Sequence, residues 1–437
     1  MRRALLSDLE SWKNDPHRKP LVLRGARQVG KTWLLREFGR SSFDRTIYVS
    51  LEDSPAARGI FSLDSDTKRI AASLALIDGA GAIDPATTLI ILDEVQEEPA
   101  ALRAMKYFAE NAPEYHIACA GSLLGVALHA GTTFPVGKVD FLTLHPMTFL
   151  EFLDAQGRGD LANAIADFSP DLIAPFHEDL VEWLRWYLFV GGMPEVVERF
   201  SEARDTAAAR RVQRQLLDAY EQDFSKHAPI EEVPRLRAIW RTIPEQLARE
   251  NRRFIYGHIS AGARAKMYEL ALLWLGDAGL VERVNRLTVP RVPLASYADD
   301  RAFKLYFHDI GLLGALAGLD QRAVIDGDVL FTEFKGALTE QYVCQQLVAQ
   351  GMRPYYWTSD SGNAEVDFVI DRDGAPTPIE VKAHTNLRAK SLRTYREKYN
   401  PVIAVRTSLA PYERQEGLIN LPLYAVGAIT GGLKESN

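Results

Sequence analysis

Residues 25–32 read Gly-Ala-Arg-Gln-Val-Gly-Lys-Thr. Gly25 and Gly30 let the backbone curl until the N–H groups of Ala26, Arg27, Gln28, Val29 and Gly30 point inward, an arrangement that suits phosphate oxygens. Lys31 would then reach the β- and γ-phosphates, and the Thr32 hydroxyl would ligate Mg²⁺. Matching acids follow at Asp93-Glu94. Asp93 could hold Mg²⁺ through water, and Glu94 could orient or deprotonate an attacking water. Ser122 has two readings: a sensor of the terminal phosphate, or the N-cap of the helix after it. Taken together, these residues are expected to bind ATP with Mg²⁺ and hydrolyse it to ADP and phosphate.

A second group lies near the C-terminus, in "EVDFVIDRDGAPTPIEVKA", residues 365–383. Asp373-Gly374 is a strong hairpin signal. With a side-chain period of two, Val366, Phe368 and Ile370 share one face and Glu365 and Asp367 the other. In the second strand Ile379 and Val381 share a face, opposite Glu380 and Lys382. A hairpin in register brings Asp367, Glu380 and Lys382 to one side, and Glu340 could join from the helix "FKGALTEQYVCQQLVAQ". Carboxylates with oxygen-only ligation suit Mg²⁺ or Mn²⁺, and a lysine there could position or activate a water. Glu340, Asp367 and Glu380 are thus the candidate metal ligands and Lys382 the candidate catalytic partner. A charged but inert hairpin face is the competing reading.

Each group needs elements to position it. The apolar run Leu21–Leu23 reads as a strand into the glycine loop, and Leu34, Leu35 and Phe38 put a helix after it. Thr88–Leu92 is a continuous apolar run, as a parallel strand covered on both faces requires. "YHIACAGS", "TIYVSLED" and "KVDFLTLHP" complete five strands of a parallel sheet. Residues 147–227 read as helices, with "YLFVGGMPEVV" as a sharp joint. In 230–290 the order is helix, turn, helix and a short strand "GLVERVNR", which resembles a winged helix. Arg235, Arg237, Arg241, Arg249, Arg252, Arg253, Arg264 and Lys266 face only Glu245 and Glu250 there. Contact with DNA phosphates and a solvated protein-contact face both remain open. The late helix "LRAKSLRTYREKY" adds Arg388, Lys390, Arg393, Arg396 and Lys398 as a backbone-binding rim beside the hairpin.

Gly25–Thr32, "LDEVQEEPAALRAMKYFAE", "CAGSLLGVAL", "VDFLTLHPMTFLEFL" and "LFVGGMPEVV" resemble, in this order, the blocks of a bacterial and archaeal AAA-type ATPase family. Its ATPase core is fused to a C-terminal domain of uncharacterised function similar to PD-(D/E)XK nucleases. The resemblance covers nearly the whole chain. It implies nucleotide binding at Gly25, Gly30, Lys31 and Thr32, and hydrolysis supported by Asp93 and Glu94. Many members carry an arginine just before "VDFLTL"; this chain has Gly137-Lys138, and no arginine finger is assigned.

The expected fold class is α/β: a P-loop NTPase parallel sheet, a helical, winged-helix-like middle and a C-terminal restriction-endonuclease-like α/β domain. The corresponding spans are 1–200, 201–300 and 301–437. A length of 437 residues asks for two to three domains. The net charge of −7 argues against a globally basic nucleic-acid binder. Cys119 and Cys344 match no zinc or redox spacing and read as buried small side chains. No secretory signal and no run of about 18 apolar residues is found, so the expectation is a cytoplasmic protein with no membrane span. ATP is the expected partner. DNA or another nucleic acid, a protein partner and a homo-oligomer stay open, as does the choice between a nuclease-coupled ATPase and an ATP-controlled switch with an inactive nuclease-like domain.

Overall fold

In the computed structural model, which describes residues 1–79, 81–122, 137–249, 253–322, 332–384 and 389–429, contacts divide the chain into two units. The first holds Arg2–His145 and Asp277–Leu280; the second holds Pro146–Gly276 and Val281–Asn437. The division falls at 145/146, so the helices expected as the edge of a 1–200 domain belong instead to the second unit.

The first unit is built on a five-stranded, all-parallel sheet ordered β2-β3-β4-β1-β5. Its strands are β1 (Leu21–Arg24), β2 (Arg45–Ser50), β3 (Thr88–Asp93), β4 (His116–Ala120) and β5 (Asp140–Thr143). β3 and β4 are buried at every position, as expected of strands covered on both faces. Helices α1 (Leu6–Asn14), α2 (Lys31–Ser42), α3 (Pro55–Leu63), α4 (Thr67–Asp78) and α5 (Pro99–Asn111) connect or flank them. Leu34, Leu35 and Phe38 of α2 are buried, which is the face read from their spacing. Val22, Ile47, Ile90, Ile117 and Cys119 join one core cluster with residues of α3, α4 and α5.

The second unit opens with helices, among them α6 (Phe149–Ala155), α7 (His177–Val190), α8 (Pro194–Ala203), α9 (Thr206–His227), α10 (Val233–Ala248) and α11 (Ala265–Asp277). An eight-stranded sheet follows, ordered β12-β13-β11-β10-β9-β8-β6-β7. Its strands are β6 (Val281–Leu287), β7 (Ala298–Phe307), β8 (Tyr355–Thr358), β9 (Glu365–Arg372), β10 (Ala375–Val381), β11 (Ala404–Ser408), β12 (Glu413–Gln415) and β13 (Leu418–Pro422). Helices α12 (Ile310–Leu316), α13 (Thr332–Ala349) and α14 (Lys390–Tyr399) accompany it. β6, expected as the short strand of a winged helix, pairs with β7 and β8 inside this sheet. The expected boundary near residue 300 therefore cuts through a single sheet.

The joint at residues 190–194 is held by a buried carboxylate. Gly191 has φ +77°, and a Cβ on Gly192 would lie 2.1 Å from the Met147 carbonyl oxygen. Asp309 caps α12 by accepting from Leu312 N (2.9 Å), and its other oxygen accepts from Gly192 N (2.6 Å). Burial pushes the Asp309 carboxyl up to about 6, against the pull of these donors. The folded state thus binds more protons than the unfolded state between about pH 4 and 6. Stability carried by this group falls as pH rises through that window. Asp309→Asn is expected to lower stability at pH 5 by roughly 1–3 kcal/mol through a lost acceptor and to flatten this slope. Urea unfolding of both proteins at pH 4.5, 5.5 and 7.5 checks it; parallel pH profiles would sink it.

Candidate nucleotide and carboxylate sites

β1 delivers the chain into the glycine loop, and α2 begins at Lys31 with Gly30 as its N-cap. Gly25 has φ +145°, and a Cβ there would lie 2.2 Å from the Leu144 carbonyl oxygen, so only glycine fits. Gln28 and Gly30 also take left-handed backbone, at φ +63° and +94°. Arg3 braces the loop from outside, donating to Val29 O at 2.9 Å.

Lys31 is buried, and its Nζ donates to Gly25 O (2.9 Å) and Ala26 O (2.7 Å). Burial pulls its ammonium down to about 8, partly offset by Glu94 and Asp93. Thr32 Oγ1 donates to Asp93 Oδ2 at 2.7 Å, bringing together the hydroxyl and carboxylate expected around Mg²⁺. These are hard oxygen donors and suit that ion. Tyr48 Oη donates to the same Oδ2 (2.9 Å), and the Arg36 guanidinium lies 3.7 Å from the Tyr48 ring centroid. Burial and Asp93 together push the Tyr48 hydroxyl up to about 12, so it stays a donor.

The strand order sets β4 between β1 and β3, placing its tip between the loop and the acids. Arg27 Nε donates to Ser122 Oγ at 3.2 Å, and Ser122 Oγ lies 3.5 Å from Glu94 Oε2. Gln96 Nε2 donates to the same Glu94 oxygen at 2.5 Å. Glu94 itself has φ +50°. A polar chain therefore runs from the loop through Ser122 to Glu94 and Gln96. Any helix for which Ser122 would be the N-cap falls at 123–136, outside the described residues. Lys138, at the place of the family's arginine, pairs with Glu110 at 2.8 Å.

The hairpin of the second group forms where it was expected. Arg372 pairs with Ala375 across Asp373-Gly374, both at positive φ, and the ladder runs to Phe368↔Ile379. Asp367 Oδ2 accepts from Val381 N (2.8 Å), and Lys382 Nζ donates to Glu380 Oε1 (2.6 Å). The other oxygen of the buried Glu380 has no hydrogen-bond partner. Burial first, then the charge of Asp367, raise the Glu380 carboxyl above the usual range; Lys382 opposes them.

Two features depart from the sequence reading. The register of β9 against β8 shifts by one residue between Tyr355↔Val369 and Trp357↔Val366. A bulge of this kind re-aims side chains. Val366 and Val369 share a cluster with Trp357, while Phe368 turns to Tyr306 at 5.6 Å between ring centroids, so Val366, Phe368 and Ile370 do not form one apolar face. The second departure is Lys304 of β7, which is fully buried. Its Nζ lies 2.6 Å from Glu365 Oε1 and 3.5 Å from Glu340 Oε2, and Tyr306 Oη donates to Glu340 at 3.2 Å. Glu340 thus has a protein cation as its neighbour. Among the described residues no group of three or more His, Cys, Asp or Glu side chains is arranged to hold a metal. Asp367 and Glu380 remain as an oxygen pair, with one buried oxygen open to a cation.

Sequence reasoning passed over Arg3, Arg36, Tyr48, Gln96 and Lys304. Only Gln96, two residues after Glu94, was within reach of a local pattern. The basic stretch in the middle also changes. Glu221 pairs with Arg241 (2.9 Å) and Arg237 (3.8 Å), and Glu232 pairs with Arg235, in addition to the Arg249–Glu245 pair at 2.6 Å. Those arginines are partly neutralised by Glu221 of α9, by Glu232 just before α10 and by Glu245 within it. Arg252, Glu250 and Arg388 lie outside the described residues, and no described helix is long and apolar enough to cross a membrane.

Residues 17–153 match the family model of an AAA domain. This segment is an AAA-type domain. It contains the whole loop, the Asp93-Glu94 pair and Ser122. Beyond the AAA-type domain, residues 181–323 match a domain of unknown function, DUF8612, and residues 335–426 another, DUF4143. The uncharacterized proteins Rv2008c of Mycobacterium tuberculosis and Mb2031c of Mycobacterium bovis are each 23% identical over 375 residues, 84% of this chain and 71% of theirs. Among solved structures, the Walker-type ATPase PABY2304 of Pyrococcus abyssi is similar at 16% identity, with a TM-score of 0.47 over 72% of this chain and 95% of that one.

Proposed function

We propose that this chain is an Mg²⁺-dependent ATPase whose AAA-type domain controls a PD-(D/E)XK-like site acting on nucleic acid. The observation that carries the ATPase reading is the 2.7 Å Thr32–Asp93 contact beside a buried Lys31 in a glycine loop. On binding, Lys31 exchanges the Gly25 and Ala26 carbonyls for β- and γ-phosphate oxygens, and the loop N–H groups cradle the phosphates. Tyr48 and Thr32 fix the Asp93 carboxylate from two sides. Glu94, released from Gln96, takes the proton of the attacking water. Ser122, between Arg27 and Glu94, would report the γ-phosphate to that base. Mg²⁺, held by Thr32 and by Asp93 through water, would supply charge neutralisation at the phosphates.

In the second unit, helix α13, the antiparallel strands β8, β9 and β10, helix α14 and the parallel strand β11 follow one another. This order supports the PD-(D/E)XK reading. Asp367 and Glu380 would hold Mg²⁺ or Mn²⁺, which would stabilise charge on a scissile phosphate, with Lys382 beside it to orient a water. One observation favours a second reading, an ATP-controlled switch with an inert hairpin site. Lys304 already neutralises Glu340 and Glu365, as it would in a structural ion network.

Phosphate release from Mg·ATP, together with scission of labelled DNA and RNA, tests both levels in wild type, Lys31→Ala and Asp367→Ala. The expected result is phosphate release lost in Lys31→Ala and retained in Asp367→Ala. Scission lost in Asp367→Ala selects the nuclease; no scission under Mg²⁺ or Mn²⁺ selects the switch. A wild type that neither binds nor hydrolyses ATP overturns the proposal.

A further inference from the structure

Lys390, Arg393 and Arg396 recur at every third position of α14 and border a cavity of ≈ 440 Å³. Its other walls are Arg406 of β11, Leu418 of β13, and Ala389 and Leu392. Four of these described lining residues are cationic and none is acidic. That volume falls in the range of small-molecule sites.

Two of the guanidinium groups are held in place by neutral partners. Arg406 is only 5% exposed, and its Nε donates to Asn420 Oδ1 at 3.1 Å. Ser408 Oγ donates to that same oxygen (2.9 Å), and the Asn420 amide donates to Pro411 O (2.7 Å), so the Asn420 side chain is itself fixed. Arg396 Nη2 donates to Glu416 O at 2.9 Å, and a Cβ on Gly417 would lie 3.1 Å from that nitrogen. The acids nearby are peripheral. Glu397 is exposed and lies 3.9 Å from Arg393 Nε, and Glu413, which acts on Arg406, is on the edge strand β12. Burial pulls the Arg406 guanidinium below its ordinary value, as expected where desolvation outweighs the nearby negative charge.

We infer that this cavity binds a phosphomonoester on an organic body of about mononucleotide size. Guanidinium forks match phosphate oxygens, and a dianion relieves the mutual repulsion of the cations. Leu418 and Ala389 give the organic part an apolar wall. A duplex presents its phosphates on a convex ridge that meets the exposed Lys390 and Arg393, whereas Arg406 lies at the sheet, nearly buried, and lines the cavity. The inference stands apart from the ATPase and nuclease readings, since none of these residues belongs to the glycine loop or the carboxylate hairpin.

The test uses the full chain carrying Lys31→Ala, so that the glycine-loop ammonium is gone. Calorimetric titrations are made with inorganic phosphate, AMP, adenosine and a single-stranded oligodeoxynucleotide without terminal phosphates. Phosphate and AMP are expected to bind one saturable site, with adenosine silent. Arg393→Gln with Arg396→Gln should weaken AMP about tenfold or more, since charge-assisted contacts are lost. Arg393 is exposed and the Arg396 substitution gives up one contact, with Glu416 O, so the fold is expected to survive, as an unchanged thermal transition would show. Arg406→Lys keeps the charge, loses the fork and should give an intermediate loss. No AMP or phosphate binding at millimolar concentration overturns the inference, as does equal AMP binding by the double variant. Tighter binding of the oligonucleotide than of AMP, lost in the same variant, overturns it in favour of a nucleic-acid backbone rim.

Discussion

Glu94→Gln will bind ATP as the wild type does and will hydrolyse it about 100- to 10,000-fold more slowly, the range for loss of a general base. Affinity is expected to be retained because the proposed phosphate contacts, the loop N–H groups and Lys31, and the proposed Mg²⁺ ligand Thr32 lie elsewhere. Glu94 instead lies at the far end of a polar chain, 2.5 Å from Gln96 Nε2 and 3.5 Å from Ser122 Oγ. The substitution keeps the side-chain shape and an acceptor for Gln96 but cannot take a proton from water. Single-turnover phosphate release, beside equilibrium binding of a fluorescent ATP analogue, separates the two effects. Turnover within a few-fold of wild type would remove Glu94 from the chemistry and leave the Asp93–Thr32 pair as a binding device.

Lys304→Met will destabilise the second unit by about 3–5 kcal/mol near neutral pH, the cost of breaking a buried ion pair by removing one partner. Methionine fills most of the volume of the lysine stem, so the loss is chiefly electrostatic. The ammonium lies between Glu365 (2.6 Å) and Glu340 (3.5 Å), and the lysine is fully buried. In the variant the buried Glu340 carboxyl loses the Lys304 cation beside it, so the loss is expected to be smaller at pH 5 than at pH 7.5. Adding Glu340→Gln should recover much of the loss, because a neutral amide can still accept from Tyr306 Oη. Urea unfolding of the single and double variants at pH 5 and pH 7.5 reads both effects. An unchanged midpoint in Lys304→Met at pH 7.5 would show that Lys304 does not compensate these acids. A destabilised protein that the second substitution does not rescue would point to packing in place of charge.

The glycine loop and the acids at the end of β3 were readable from sequence because their parts are local. Strand, glycine loop and helix are contiguous from Leu21 to Phe38, and Asp93-Glu94 ends an apolar run long enough to be recognised as a buried strand. The hairpin was readable for a similar reason. Asp373-Gly374 sets the turn, the turn sets the register, and a period of two then brings Asp367 and Glu380 together. The tertiary structure alone decided what surrounds these residues. Tyr48 reaches Asp93 because β2 and β3 are neighbours in the sheet, and Ser122 lies between the loop and Glu94 because β4 separates β1 from β3. Lys304 comes to Glu340 and Glu365 from a strand on the far side of the sheet order, and a one-residue slip against β8 turns Phe368 to Tyr306. Periodicity describes which way a side chain points along its own strand or helix. It carries no information on which distant strand pairs with it, and that pairing determined the charges and hydrogen bonds at both sites.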